Sequence, residues 1–309
     1  MTRSLRLLAL SLLFVVAACA RAQTASGTFD RTLNVGEPLE LDVQTGSGAI
    51  EVRAGAAGKV EVHGEIRVGN WKTLVGARAG AEEVVEKIKA SPPIELEGNH
   101  LRIGQLDEAF WKQNASISYT IVAPAATQLR ARTGSGSQTA RGLAGPVVLE
   151  SGSGSVTLED IAGAAEVRTG SGSIQAHGIG GAFTGSAGSG HIEVAQTGHG
   201  DVAASTGSGS VELKGVDGAA RVRTGSGSVT VDGKPAGPWE LETGSGSVNA
   251  HMAPDAAFTI DAKAGSGGVR TSLAVTIAGS VERGQLQGQV RGGGPTVRIR
   301  TGSGGITID

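Results

Sequence analysis

One short tripeptide constrains this chain more than any other feature. Gly-Ser-Gly follows a threonine, serine or alanine at residues 45, 133, 151, 169, 187, 206, 224, 243, 264 and 301. From 133 to 243 the successive spacings are 18, 18, 18, 19, 18 and 19 residues. Self-similarity at a fixed period marks a repeat architecture, in which each unit packs against its neighbours. The period halves on inspection, because a degenerate partner with glycine at its fourth place lies between successive turns, as in DIAGAAEVR at 160–168 and GVDGAARVR at 215–223. The unit is therefore about nine residues long.

In that frame, from Pro124 to His251, the sixth and eighth places are mostly apolar: Leu129 and Ala131, Val147 and Leu149, Val156 and Leu158, Val211 and Leu213, Val229 and Val231, Trp239 and Leu241. The seventh place between them is usually polar, as with Thr157, Glu166, Gln175 and Glu212. Apolar, polar, apolar is the signature of a strand with one buried face. Each unit is then a strand plus a glycine turn. Two inward side chains of this size stabilise by roughly 1.5–3 kcal/mol each when buried, whereas ordering the backbone costs roughly 1–2 kcal/mol per residue. A lone unit does not fold, so the units must stack. The expected fold class is all-β, a parallel β-solenoid or β-helix with about 18 residues per coil and seven coils between Pro124 and His251.

Glycine, at 51 of 309 residues, is more than twice as frequent as usual, and the regular aliphatic columns place it at turns rather than in a disordered linker. A net charge of −2 and no clustered basic stretch argue against nucleic acid as a partner. Residues 1–22 read as a signal peptide: Arg3 and Arg6 precede an apolar run from Leu7 to Ala18 that is too short to span a membrane. Val16-Ala17-Ala18-Cys19 resembles a lipobox, which would end the signal at residue 18 and lipidate Cys19; Ala20-Arg21-Ala22 is the alternative cleavage site. With one cysteine, the exported chain has no internal disulfide.

Residues 23–132 form a strand-rich lead-in, with alternation at 39–53, 59–68, 100–104 and 116–124, and residues 133–309 form the repeat array continuous with it. A helix is expected over about 79–89, where Val84, Val85 and Ile88 share a face, Glu83 can pair with Lys87, and Pro92-Pro93 stop continuation. Its expected place is over an edge or end of the stack. The repeat loosens over 252–296 before VRIRTGSGGITID at 297–309 adds two more strands.

No residue set converges on recognisable chemistry. Calcium-binding nonapeptide repeats need an aspartate at the sixth place, which here holds Val156, Ile174, Val211, Val229 and Val248. His177, His191 and His199 fall in different turns and coils, so they do not meet at one tetrahedral ion. The turn serines have no recurring histidine and acid beside them, and no G-x-S-x-G elbow, H-E-x-x-H or phosphate-binding glycine loop occurs. No cofactor and no catalytic residue are expected. The candidate binding face is the outward seventh-place column Thr139, Thr157, Gln175, Glu193, Glu212, Thr230 and Asn249. The ninth-place column from Arg141 and Glu159 to His251 reads as a solvated charge ladder. Trp71, Trp111 and Tyr119 read as core or cap residues.

The export signal, the lead-in ending YTIVAPAATQLRARTGSGS at 119–137 and the serial TGSGSV turns together resemble the bacterial adhesin-like family with β-strand repeats, a domain of unknown function. The resemblance covers nearly all of the exported chain. It implies a right-handed envelope or surface β-solenoid, in the outer membrane as a lipoprotein or in the periplasm or on the cell surface, and it brings no catalytic residues with it. The functional expectation is a non-enzymatic adhesin, or a binding or spacer scaffold for an envelope polysaccharide or protein. The rival expectations are a carbohydrate-active β-helix enzyme and a regulatory module of envelope stress.

Overall fold

A computed structural model describes residues 25–69, 77–105, 115–277 and 283–309. The expected signal segment with Cys19 lies outside the described residues, as do Trp71 and Trp111. Strands alternate between two parallel stacks. Gln128–Thr133, Val147–Ser151, Ala165–Thr169, Phe183–Ser189 and Val202–Ser208 form what is here termed the leading stack, because each strand runs into a Gly-Ser-Gly turn. Gln138–Arg141, Val156–Ile161, Ile174–Ile179 and Ile192–Gln196 leave those turns and form the trailing stack. Val211–Ser226 and Val229–Ser245 are long strands that bend through both. The molecule is thus an all-β solenoid, and its register joins each sixth place to the next, as in Val156 to Ile174 and Ile174 to Ile192.

The core is the strip between the stacks. Val156, Leu158, Val167, Ile174, Val229, Val231, Trp239 and Leu241 are fully buried, as the period-two pattern requires. Trp239 satisfies its indole by donating to the Gly218 carbonyl at 3.0 Å. The helix spans Ala77–Ala90, and its Val85 and Ile88 join the core beside Ala25–Asn34. A Cβ on Gly27 would lie 2.5 Å from Val85 Cγ1, so the helix sits directly on that strand. One ion pair on it joins Lys89 to Glu86 at 2.8 Å. Tyr119 is core, edge-on to Phe29 with ring centroids 6.5 Å apart.

The residue before each Gly-Ser-Gly points inward. Thr133, Ser151, Thr169, Thr206, Thr224, Thr243 and Thr301 are buried, and each hydroxyl donates to a glycine carbonyl of an adjoining coil, as Thr224 does to Gly209 at 2.9 Å. In the earlier coils that hydroxyl also accepts the amide of the second turn glycine, at 3.1 Å for Thr133, 2.8 Å for Ser151 and 3.1 Å for Thr169. The bonding changes at Ala187, which has no hydroxyl. At Gly190, Gly209, Gly227 and Gly246 the same amide donates to a serine carbonyl of an adjoining coil, as Gly209 does to Ser226 at 2.9 Å, and the glycine φ lies between 144° and 152°.

Spatial order departs from chain order at both ends. The first coil, Glu40–Thr45 and Ile50–Gly55, lies between His100–Ile103 and Ala115–Pro124 on one side and Gln128–Thr133 and Gln138–Arg141 on the other. Thr296–Ser303 and Ile306–Ile308 are likewise inserted between the coil at 229–252 and the coil formed by Phe258–Ala264 and Val269–Thr271. The last strands therefore occupy an interior rung, not the end of the array. Antiparallel strands finish the stacks: Ala25–Asn34 on Lys59–Val68 and Ile94–Glu97 on His100–Ile103 at one end, Gln285–Val290 on Phe258–Ala264 at the other.

Candidate functional site

The trailing stack brings the seventh-place residues together in one file. Thr139, Thr157, Gln175, Glu193, Glu212, Thr230 and Asn249 are consecutive partners in the parallel register. The file continues past them, through Glu51 to Thr120 at one end and through Thr307 to Arg270 at the other. At about 4.8 Å per rung it is a straight polar line roughly 50 Å long. The neighbouring carboxylates of Glu193 and Glu212 would repel, and Lys214 lies between them, its Nζ 2.7 Å from Glu212 and 3.5 Å from Glu193. The hydrogen bond from Lys214 holds Glu212 below its ordinary pKa and raises that of Lys214. In the adjoining ninth-place column, Arg141 pairs with Glu159 at 3.1 Å, and His251 bonds the Asp309 carboxylate of the inserted coil.

The leading stack carries a second feature that the sequence reading passed over. Its ninth-place file runs Arg132, Glu150, Arg168, Ser186, Ser205, Arg223, Glu242, Arg300, Lys263. Glu150 is shared between Arg132 at 3.0 Å and Arg168 at 3.7 Å, and Arg223 holds Glu242 at 3.2 Å. Beside this file, where strands enter the Gly-Ser-Gly turns, two shallow grooves of about 600 and 420 Å³ lie in line along the corner. The turn glycines form their floor, Gly134, Gly152 and Gly170 in one and Gly244 and Gly302 in the other. The available signal was arginine and glutamate alternating at the coil period, at 132, 150 and 168, in the half-units without Gly-Ser-Gly.

Elsewhere the ionisable groups are dispersed. His199 pairs with Asp217 at 2.7 Å, His100 with Asp42 at 2.7 Å and His63 with Asp30 at 2.7 Å. His177, His191 and His199 do not come together, and among the described residues no group of three His, Cys, Asp or Glu is placed to hold a metal. Burial pushes the Tyr119 hydroxyl well above its ordinary pKa, inside the core and away from either face. Among the described residues no helix is long and apolar enough to cross a membrane.

Two polar-faced parallel stacks closed by glycine turns define a β-solenoid of the adhesin-like, β-repeat class. The chain belongs to the Toastrack DUF4097 family, whose model matches residues 39–309. Three solved structures are similar to it over most of their length. A "putative cell adhesion protein" from Clostridium sporogenes is 11% identical, with 91% of this chain and 99% of that one covered and a TM-score of 0.22. A "putative adhesin" from Bacteroides fragilis is 14% identical, with 92% and 97% covered and a TM-score of 0.35. A "putative lipid binding protein" from Parabacteroides distasonis is 14% identical, with 91% and 96% covered and a TM-score of 0.38. No curated protein matches the sequence.

Proposed function

We propose that this chain is a non-enzymatic scaffold exported to the cell envelope, where the flat trailing face binds an envelope polysaccharide or cell-surface protein or holds it at a distance. The observation that carries the reading is the in-register polar file from Thr120 to Arg270, because a straight rigid surface suits an extended partner better than a small substrate. Two of the carboxylates on this face are committed to cations, Glu212 to Lys214 and Glu159 to Arg141.

Immobilised protein is expected to retain envelope polysaccharide, peptidoglycan or a cell-surface protein. Thr157→Lys with Thr230→Lys, two exchanges at half-buried outward positions of the file, should lower that retention. Retention equal to wild type in the double variant, or none at all, contradicts the reading. Mass spectrometry of the native protein tests the anchor, since a diacylglyceryl group on Cys19 is the expected product of lipobox processing.

A further inference from the structure

We propose that the corner groove of the leading stack binds a linear acidic polysaccharide that carries a carboxylate on every second sugar. This concerns the other face of the molecule and does not rest on the scaffold reading.

Charge comes first. Arg132, Arg168, Arg223, Arg300 and Lys263 stand in one file with Glu150 and Glu242, and even with Glu166 paired to Arg168 and Asp261 to Arg300 beside the file, these cations outnumber the anions five to four on a chain whose net charge is −2. The ion pairs leave Arg132 and Arg223 able to bind, while Arg168 has its Nη groups on Glu150 and Glu166 and Arg300 has its own on Asp261. Arg132 and Arg223 each hold their glutamate through Nε, and among the described residues neither Nη of these two makes a hydrogen bond. Those paired Nη groups are the planar fork that fits a carboxylate. Lys263 has no ion pair among the described residues.

Spacing selects the polymer. Arg132 and Arg168 are two rungs apart, as are Arg223 and Arg300, which puts like charges about 10 Å apart along the groove. An extended disaccharide repeats on that scale. An extended peptide advances about 3.3 Å per residue, so its alternate side chains, about 7 Å apart, fall out of step.

The floor points the same way. It is glycine backbone, with no apolar pocket for a peptide side chain, and its amides are already bonded to the neighbouring coil, as Ser135 is to the Gly46 carbonyl and Ser153 to that of Gly134. No strand edge is open there for a peptide to extend. Ser135, Ser153 and Ser171, one residue beyond the floor glycines, are exposed, and among the described residues their hydroxyls make no hydrogen bond. They supply a file of hydroxyl partners at the rung spacing. Aromatic platforms, which neutral sugars favour, do not line the groove.

The test is titration of the purified chain with hyaluronan oligosaccharides, using uncharged cellodextrin, polyphosphate and polyglutamate as comparison probes. Hyaluronan is expected to bind at low salt, to weaken as salt is added, and to lose about tenfold in affinity with Arg132→Gln plus Arg168→Gln. Ser186→Glu plus Ser205→Glu adds repulsion at the groove's midpoint without breaking any ion pair, and it should weaken binding comparably while circular dichroism still shows the folded chain. Failure to bind hyaluronan at low salt overturns the proposal, as does binding that neither double variant alters. Equal affinity for polyphosphate or polyglutamate would show a general anion surface and would also overturn it.

Discussion

At the scale of single residues, the turn motif is a packing device. A Cβ on Gly154 would lie 1.7 Å from the Gly136 carbonyl oxygen of the coil below, whereas one on Gly268 would meet nothing within 4 Å. Gly154→Ala should therefore destabilise by about 2–3 kcal/mol or more in urea unfolding, with Gly268→Ala close to neutral. Equal effects would show that the turns can spread apart. The glycines were legible as turns because few other residues tolerate such approach. The threonines before them were not legible as core. Their partners lie fifteen or more residues away, as Gly209 does from Thr224, and a hydroxyl next to a turn reads as solvent-facing until the register is known.

At the scale of elements, the strand Phe258–Ala264 is held to Thr296–Ser303 by a charge clamp. Arg300 Nη2 lies 2.6 Å and Arg298 Nε 3.3 Å from Asp261 Oδ2. Burial pushes the Asp261 carboxyl up, but the hydrogen bond and charge of Arg300, with Arg298 and Gln287, outweigh it and leave the pKa below 3.8. A carboxylate with a depressed folded pKa contributes stability above its unfolded pKa and loses it as the pH falls through the folded value. Asp261→Asn should thus cost about 1 kcal/mol at neutral pH, and the difference from wild type should close only below about pH 3.8. A gap in melting temperature that persists at lower pH would assign the cost to packing. The helix was readable to within two residues at its start and one at its end, because proline stops and a clear apolar face define it. The charge file of the leading stack was not, since arginine and glutamate on outward places look like any wet strand until coils are set side by side.

At the scale of the whole molecule, the two-stack architecture follows from the nine-residue period, but the order of the coils does not. Every unit presents the same small inward pair, so any coil can pack on any other, and nothing in the period says that residues 296–308 belong between 229–252 and 258–271. Deleting residues 297–309 removes buried Val297, Ile299, Ile306 and Ile308 from an interior rung. The melting temperature should fall by more than about 10 °C. An unchanged melt would mean that the coil at 258–271 closes directly onto Val229–Ser245. The insertion also sets a timetable. While the chain is being made, Phe258–Ala264 and Val269–Thr271 emerge before the coil they stack on in parallel, so that end of the solenoid stays unfinished until residues 296–308 arrive. A domain that grows rung by rung from one end could mature as it is synthesised; this one closes only when residues 296–308 slide in between two coils made before them.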